Sequence, residues 1–294
     1  MIRKDFTELT GEEINDLGAA LNSLWDTNYI QENYELHDTN FNNGIHWGPD
    51  FLPWHRDFLR KLELELQKFN SNINLPYWDW TRSNSINLEI EPWLSFFGGR
   101  SNSGGMFDHW NYERSNSSGP FPLPTLSRVI TELEADSFLN YRKMEGRNDG
   151  IVGSHVPGHT WVGGTMATGR SPADPIFYLH HCNIDRLWSI WQLNNPDLVQ
   201  YEHTGSIDSD RVEQARVPID SAMIGGATPR SMLDHTQLGY TYSQDTVLEQ
   251  AWLDKNGTVL ITHQEELDQP PLPPGSLTQS AWSRPRIGIS SSHC

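Results

Sequence analysis

Two clusters of histidines constrain the fold of this chain more than any other feature of its sequence. The first comprises His37, His46 and His55, and the second comprises His155, His159 and the adjacent pair His180–His181. The step of four residues from His155 to His159 places both imidazoles on one face of a helix, one turn apart. Two nitrogens in that position can bind one metal ion. The fold must then bring distant helices together around these side chains.

A third nitrogen for the second cluster is expected from the pair His180–His181. Neighbours on a helix diverge by about 100°, so only one of the two can face the same ion, and His181 is the predicted ligand. A lone histidine on an apolar face, such as His55, is more often a core residue than a ligand. The joint occurrence of both clusters favours metal binding.

The donor set limits the identity of the metal without fixing it. Imidazoles without Cys or carboxylate ligands suit copper or zinc, and the spacing does not choose between them. Cys182 follows His181 but is turned away from it on a helix, which disfavours a blue-copper electron-transfer site. The His-Cys-His run of multicopper oxidases is absent from the sequence.

Apolar spacing and capping residues predict a mainly α-helical chain. Thr10 and Glu13 form a capping box ahead of a first apolar stripe. The predicted helices span 11–26, 50–69, 126–142 with a break near Asp136, a short segment from His155 capped by Ser154, and 175–192. Phe69 is placed on the core-facing side of the second helix. The aromatic segment 75–80 (LPYWDW) is predicted to be extended.

Glycine, proline and serine mark the connections between these segments. The stretch 83–124 is predicted to be a long surface excursion. After Tyr242, the apolar segments 251–253 and 258–262 flank 254–257 and predict a hairpin. The segment 269–275 (QPPLPPG) predicts a stiff linker, and the last twenty residues are expected to be weakly ordered.

Charge and hydropathy exclude several classes of partner. Lys and Arg number 21 against 38 Asp and Glu, which gives a net charge of −17 and disfavours nucleic acid. No apolar run approaches the length that spans a bilayer, so no membrane contact is expected. The amino terminus lacks the apolar stretch of a signal peptide, which predicts a cytoplasmic protein, although export by another route stays open.

Long motifs around the histidines resemble those of tyrosinases, which are type 3 binuclear copper proteins. The stretch 46–56 (HWGPDFLPWHR), followed by 75–80, resembles their copper-A half. The stretches 155–164 (HVPGHTWVGG) and 174–188 (DPIFYLHHCNIDRLW) are similar to the copper-B half. Arg3 and the sequence Tyr-Thr-Tyr at 240–242 resemble the two ends of the family's catalytic domain. The resemblance therefore covers residues 1–242 and leaves 243–294 as a C-terminal tail.

This resemblance implies a mainly α fold, an antiparallel four-helix bundle that holds two copper ions, with long loops and a few short strands. One copper would be held by His37, His46 and His55, and the other by His155, His159 and His181. His180 would lie beside the ligands. Asn183 and Asp185 would hydrogen-bond ligating imidazoles, with an ordinary ion pair as an equal alternative for Asp185. Phe177 would overhang copper B and restrict the substrate ring.

The family's chemistry implies an oxidase that uses O2 to convert o-diphenols or o-aminophenols to o-quinones or quinone imines. Monophenol hydroxylation also needs a general base, and Glu145 is the candidate by position, against a plain solvated Glu at a helix end. The family pairs this Glu with an Asn directly after the first copper-B histidine. Val156 occupies that position here, so monophenol hydroxylation is expected to be weak. A small phenol, O2 and a copper-delivery chaperone are the implied partners.

Two other functions are compatible with the histidine clusters. A haemocyanin-like oxygen carrier uses the same copper pair, but such carriers have a covering domain, and this 294-residue chain leaves few residues after Tyr242. A zinc-binding or structural histidine-rich helical protein would make the paired motifs a coincidence. The enzyme is therefore the favoured interpretation.

Overall fold

The computed structural model of the chain describes residues 1–82, 87–101, 103–115, 119–148, 151–203 and 217–263. The helices are α1 (Gly11–Asp26), α2 (Tyr29–Asn40), α3 (Phe51–Leu66), α4 (Trp93–Phe97), α5 (Leu126–Leu133), α6 (Phe138–Tyr141), α7 (His155–Val162), α8 (Ile176–Asn194) and α9 (Thr246–Asn256). The strands are β1 (Ile2–Arg3), β2 (Arg147–Asn148), β3 (Ile151–Val152) and β4 (Thr241–Tyr242). Short 3-10 turns lie at Phe6–Glu8, Arg142–Glu145, Gly164–Ala167, Ser171–Ala173 and Pro229–Met232.

A bundle of α2, α3, α7 and α8 carries six of the seven clustered histidines, and the seventh, His46, lies in the loop before α3. Helix α8 is its central member, since every residue from Ile176 to Trp191 is buried. Helices α3 and α7 pack against α8, and α1 supports α2 and α3. The predicted mainly α fold with few short strands is confirmed. Among the described residues, no helix combines the length and the apolar character needed to cross a membrane.

Helix α1 forms as predicted, whereas no helix was predicted where α2 lies. Thr10 accepts a hydrogen bond from the Glu13 backbone, and the Glu13 carboxylate accepts one from the Thr10 backbone, which completes the capping box of α1. Helix α2 buries only Ile30, Tyr34 and His37. Three buried positions form a narrow stripe, and one of them is a histidine rather than an apolar residue. The sequence of α2 therefore has little hydrophobic periodicity to detect.

The end of one helix and the capping of another differ from the prediction. Helix α3 ends at Leu66, and Phe69 beyond it is 52% exposed, so its placement on the core-facing side was wrong. Ser154 stands at the start of α7, but its side chain makes no capping hydrogen bond. The predicted break near Asp136 is confirmed, because α5 ends at Leu133 and α6 begins at Phe138.

The described part of the stretch 83–124 is not the surface excursion that its glycines and prolines indicated. In its described part, Trp93, Phe96, Phe97, Phe107 and Trp110 are at most 3% exposed. Phe96 and Phe97 pack edge to face with ring centroids 4.7 Å apart. Turn residues fix the path of the backbone, whereas the aromatic side chains between them are large enough to fill a core by themselves.

The predicted hairpin after Tyr242 is wrong, because the chain forms α9 there. Asp245 caps this helix by accepting a hydrogen bond from the Leu248 backbone at 3.0 Å. Gly257 ends it in the left-handed conformation with φ of 67°. The pair Asn256–Gly257, which indicated a turn between strands, is a helix C-terminus. A hairpin turn and a helix C-terminus both favour a Gly with a positive φ at this position.

The compact unit that contains the bundle runs from Met1 to Gln264. It therefore includes the first part of the predicted tail. Asp245 contributes to this, because its carboxylate pairs with Arg186 of α8 at 2.8 Å. The predicted linker at 269–275 and the last twenty residues lie outside the described residues.

The short parallel pair of β1 and β4 joins the start of the chain to residues 241–242. It places Arg3 in the core, where its guanidinium donates two hydrogen bonds to Glu63, each of 3.0 Å. The same group donates to Tyr242 at 3.0 Å and to Asp185 at 3.2 Å. Arg3 therefore connects β4, α3 and α8 beneath the histidines.

Candidate metal centre

The first histidine trio converges from three adjoining segments. His37 lies on the buried side of α2, His46 in the loop before α3, and His55 in the second turn of α3. Their candidate ligand nitrogens all lie within 4.8 Å of one another. The Nε2 atoms of His37 and His55 are 3.4 Å apart.

The second trio joins α7 to α8. His155 and His159 project from one face of α7, with ring centroids 4.6 Å apart. The Nε2 atom of His159 lies 3.0 Å from that of His181 on α8. The four-residue spacing therefore places two imidazoles side by side, and the packing of α7 on α8 brings the third to them.

The two trios are in direct contact. The rings of His55 and His181 stack with centroids 4.3 Å apart and an interplanar angle of 12°. The centroids of His46 and His155 are 5.9 Å apart. The close packing of α3 on α8 thus makes the two groups of nitrogens immediate neighbours.

Backbone carbonyls fix the tautomer of four of these histidines. The Nδ1 partners are Gly169 for His37 (2.6 Å), Phe51 for His55 (2.9 Å), Glu145 for His155 (3.0 Å) and Met166 for His159 (2.7 Å). A carbonyl oxygen can only accept, so each Nδ1 carries the ring proton and donates it. Each Nε2 is left with a lone pair. This is the arrangement that orients metal-ligating imidazoles.

The unprotonated nitrogens fit metal ions. The lone pairs of His37 and His55 face each other and repel unless a cation lies between them. With a metal–nitrogen distance of about 2.0 Å and tetrahedral angles, two ligand nitrogens are about 3.3 Å apart, close to what the structure shows. Nε2 of His155 is buried without a hydrogen-bond partner among the described residues. An all-imidazole donor set suits copper.

Burial keeps these imidazoles neutral. It lowers the pKa of His37 to about 3 and that of His159 to about 4, while the carbonyl partners oppose the change. The pKa values of His46, His55, His155 and His181 are also lowered, by burial first and by neighbouring imidazoles second. At neutral pH each of these imidazoles therefore has a ring nitrogen that carries no proton for a metal ion to displace.

His180 lies beside the second trio with both ring nitrogens engaged. The indole N–H of Trp80 donates to Nδ1 at 2.9 Å, so the proton of the neutral ring is on Nε2, which donates to the His155 carbonyl at 3.0 Å. No lone pair remains for a metal. Gly158 permits this packing, because a Cβ there would lie 2.2 Å from the His180 ring.

Asn183 and Asp185 differ from their expected roles. The Asn183 side-chain oxygen accepts a hydrogen bond from Arg186 at 2.8 Å. The Asp185 carboxylate forms ion pairs with Arg56 and Arg3. No hydrogen bond joins either side chain to an imidazole among the described residues. Asp185 therefore takes the alternative role of an ion-pair partner, and the imidazole-orienting role of Asn183 is corrected to that of a hydrogen-bond acceptor for Arg186. Asp185 lies one turn beyond His181, but its carboxylate points to the arginines beneath the site.

Glu145 is fully buried, which contradicts the alternative of a solvated helix-end residue. Its carboxylate accepts a hydrogen bond from the backbone N–H of Trp47, the residue after His46. Its own carbonyl accepts from His155. Trp47 has a φ of 60°, an uncommon conformation for a residue with a side chain.

Phe177 is fully buried one turn before His181. Its ring centroid lies 4.2 Å from that of His181 and 5.3 Å from that of His37. The ring therefore packs against both trios. The predicted contact with a substrate ring stays a prediction.

Sequence reasoning missed the groups that orient the ligands. Carbonyl partners such as Gly169 leave no mark in a sequence, because every residue has a carbonyl. Trp80 and Gly158 do leave one: an indole N–H in a buried aromatic segment needs an acceptor, and a glycine inside a short helix often indicates close packing.

Comparisons with known proteins agree with this geometry. The model of the family described as the common central domain of tyrosinase matches residues 23–127 and 121–194. Tyrosinase of Streptomyces antibioticus is 32% identical over 281 residues, covering 82% of this chain and 98% of that protein. The solved tyrosinase from Burkholderia thailandensis has a TM-score of 0.62 at 16% identity, covering 86% of this chain and 76% of that one.

A functional unit of octopus hemocyanin has the same fold, with a TM-score of 0.59 at 23% identity, covering 87% of this chain and 73% of that one. The family implies a binuclear copper centre, and the two trios are the groups of described residues able to hold it. The family match over more than half of the sequence, together with the Streptomyces relative, shows that the chain belongs to the tyrosinase family of type 3 copper oxidoreductases.

Proposed function

We propose that the chain oxidises o-diphenols or o-aminophenols with dioxygen, with weak monophenol hydroxylation at most. The observation that carries the proposal is the direct contact of two neutral imidazole trios through His55 and His181. Copper ions bound there supply a two-electron exchange with dioxygen. Overall, two o-diphenols and one O2 give two o-quinones and two waters.

The side chains indicate where a substrate approaches. His159 is 9% exposed, whereas the other five predicted ligands are at most 3% exposed. A phenol therefore reaches the centre beside His159, at the open side of the second trio. The buried Phe177 ring packs behind both trios and limits how deep an aromatic ring can enter.

Glu145 is the proposed base for a phenol proton. Its carboxylate is held by the backbone N–H of Trp47, the residue after His46, and its carbonyl accepts a hydrogen bond from His155. Acting directly or through a water molecule, it accepts the proton of the phenol hydroxyl. Val156, the residue after His155, offers no amide to assist it. This favours diphenols, which need no hydroxylation, over monophenols.

Initial rates on tyrosine, a catechol and an o-aminophenol, measured side by side on copper-loaded protein, test this proposal. We expect turnover of the catechol or the o-aminophenol to exceed that of tyrosine. Faster turnover of tyrosine would contradict the substrate proposal. Reversible dioxygen binding without turnover of any phenol would favour the oxygen-carrier alternative.

Replacing Val156 with Asn is expected to raise monophenol activity relative to diphenol activity. The new amide would stand beside Glu145 and help to orient the group that accepts the phenol proton. The ratio of initial rates on tyrosine and on its catechol product measures the effect. The double variant Val156→Asn, Glu145→Gln is the control, since it should lose the gain. An unchanged ratio in the single variant would count against this role of position 156.

Copper delivery by a partner protein is also proposed. The predicted ligands are almost fully buried, so a hydrated ion has little access to the first trio. Rapid and complete loading of metal-free protein by free copper would argue against a need for a chaperone. The cytoplasmic location stays a prediction.

A further inference from the structure

We propose that Glu132 is a positioning residue that fixes the start of α7 and thereby places His155 and His159 in the second trio. The inference rests on the two-copper assignment and not on the choice of phenol. It concerns a contact between α5 and the residue that precedes α7.

The contact is a pair of hydrogen bonds from one residue to one carboxylate. The Ser154 hydroxyl donates to Oε2 of Glu132 at 2.6 Å. The Ser154 backbone N–H donates to Oε1 at 3.0 Å. Ser154 is fully buried and directly precedes His155. A movement of Ser154 therefore moves the first ligand of the trio.

Glu132 is held in place on its own helix. Arg128, one turn earlier in α5, donates to Oε1 at 3.1 Å. The Glu132 side chain is 10% exposed, so water has little access to replace its bonds to Ser154. The contact explains why Ser154 does not cap α7 as predicted, because its hydroxyl is already used by Glu132.

Helix α7 needs such support. It has eight residues, too few to be stable alone, and includes Pro157 and Gly158. Its first residue is otherwise held by bonds from His155 to the Glu145 carbonyl and from His180 to the His155 carbonyl. Metal ligands must be placed to within about 0.5 Å, so losing the contact at residue 154 should affect copper before it affects the fold.

The same helix provides a matched control. Glu134 is two residues beyond Glu132 and pairs with Lys255 of α9 at 2.9 Å. Glu134→Ala removes a carboxylate and an ion pair from the end of α5 and leaves Ser154 untouched. Burial raises the pKa of Glu132 to about 7. In a Gln of the same shape, the amide oxygen can accept from the Ser154 backbone N–H, and the NH2 group can donate to the Ser154 hydroxyl, which then becomes the acceptor. Glu132→Gln should therefore preserve the contact.

The experiment measures the affinity for each copper ion by competition with a chelator, together with the melting temperature of the metal-free protein. In Glu132→Ala we expect one of the two ions to bind about 10- to 100-fold more weakly, the usual effect of losing a group that orients ligands. The second ion and the melting temperature should change little. Glu132→Gln and Glu134→Ala should both resemble the wild type.

Three results would overturn the inference. The first is a Glu132→Ala variant that binds both copper ions with wild-type affinity. The second is a Glu132→Ala variant in which the affinity for both ions falls equally and the melting temperature falls with it. The third is a Glu132→Gln variant whose copper affinity is as low as that of Glu132→Ala. If Glu132→Ala does not fold, Ser154→Ala removes one of the two bonds and should weaken the same ion. A wild-type protein that binds fewer than two copper ions would instead refute the copper assignment, which separates the two failures.

Discussion

Replacing His159 with Ala is expected to abolish phenol oxidation and to remove one of the two copper ions per chain. His159 supplies one of only three nitrogens to the second trio, and its Nδ1–H bond to the Met166 carbonyl at 2.7 Å shows that the ring is oriented for Nε2 to bind. Two imidazoles alone leave a copper ion weakly held. Copper content by mass spectrometry and initial rates on a catechol measure both effects.

His109→Ala is the matched control for this substitution. The His109 side chain is 49% exposed and belongs to neither trio, so its loss should change neither copper content nor rate. Circular dichroism should show that the helices of both variants are intact. A His159→Ala protein that keeps two copper ions and normal turnover would remove His159 from the set of ligands.

Replacing Asp185 with Ala is expected to destabilise the protein by about 3–5 kcal/mol, the usual effect of removing one partner of a buried ion pair. Asp185 is 4% exposed and pairs with Arg56 and Arg3, which are both fully buried. It also accepts hydrogen bonds from Tyr240 and Tyr242, each of 2.6 Å. Without the carboxylate, two guanidinium groups lose a buried counter-charge. Urea unfolding of both proteins measures the difference.

The pH dependence of this effect follows from the pKa of Asp185. Burial alone would raise that pKa, but the charges of Arg56 and Arg3 and the tyrosine hydroxyl groups lower it below its ordinary value. The stabilisation is therefore complete above the ordinary pKa of an aspartate and is lost as the pH falls through the lowered one. The wild type and Asp185→Ala should differ most near neutral pH and converge in acid.

Asp220→Ala is the control for the loss of an acidic side chain. Asp220 pairs with Arg230, and both side chains are more than half exposed, at 66% and 56%. Solvent screens such a pair, so its removal should leave the unfolding curve nearly unchanged. Equal unfolding curves for Asp185→Ala and the wild type would show that the buried cluster contributes no net stability.

The predictable parts of the fold are those with strong local patterns. Helix α1 follows from its capping box, and α8 follows from the start signal Asp174-Pro175 and the stop signal Asn195-Pro196. Helix α2 could not be predicted, because its buried side is narrow and includes a histidine. The hairpin expected around Asn256–Gly257 failed because a positive φ at Gly serves a helix end as well as a turn.

The candidate site shows the same division. The six predicted ligands lie in the two trios that the family resemblance implied. The spacing alone accounts for His155 and His159, which share one helix, whereas the other ligands come from separate segments that the fold brings together. The partners of Asp185 could not be predicted, since Arg3 and Arg56 are distant in the sequence and any acidic residue can pair with either. The bond from Ser154 to Glu132 was hidden for a similar reason: a serine before a helix usually caps that helix.

The position of Arg3 has a consequence for how the protein is made. Arg3 is synthesised before its partners Glu63, Asp185 and Tyr242, which follow it in that order along the chain. Until Tyr242 has been synthesised, the buried guanidinium of Arg3 lacks one of its hydrogen-bond partners. The buried cluster that joins α3, α8 and β4 is thus completed only after residue 242 has been made, later than all six predicted copper ligands.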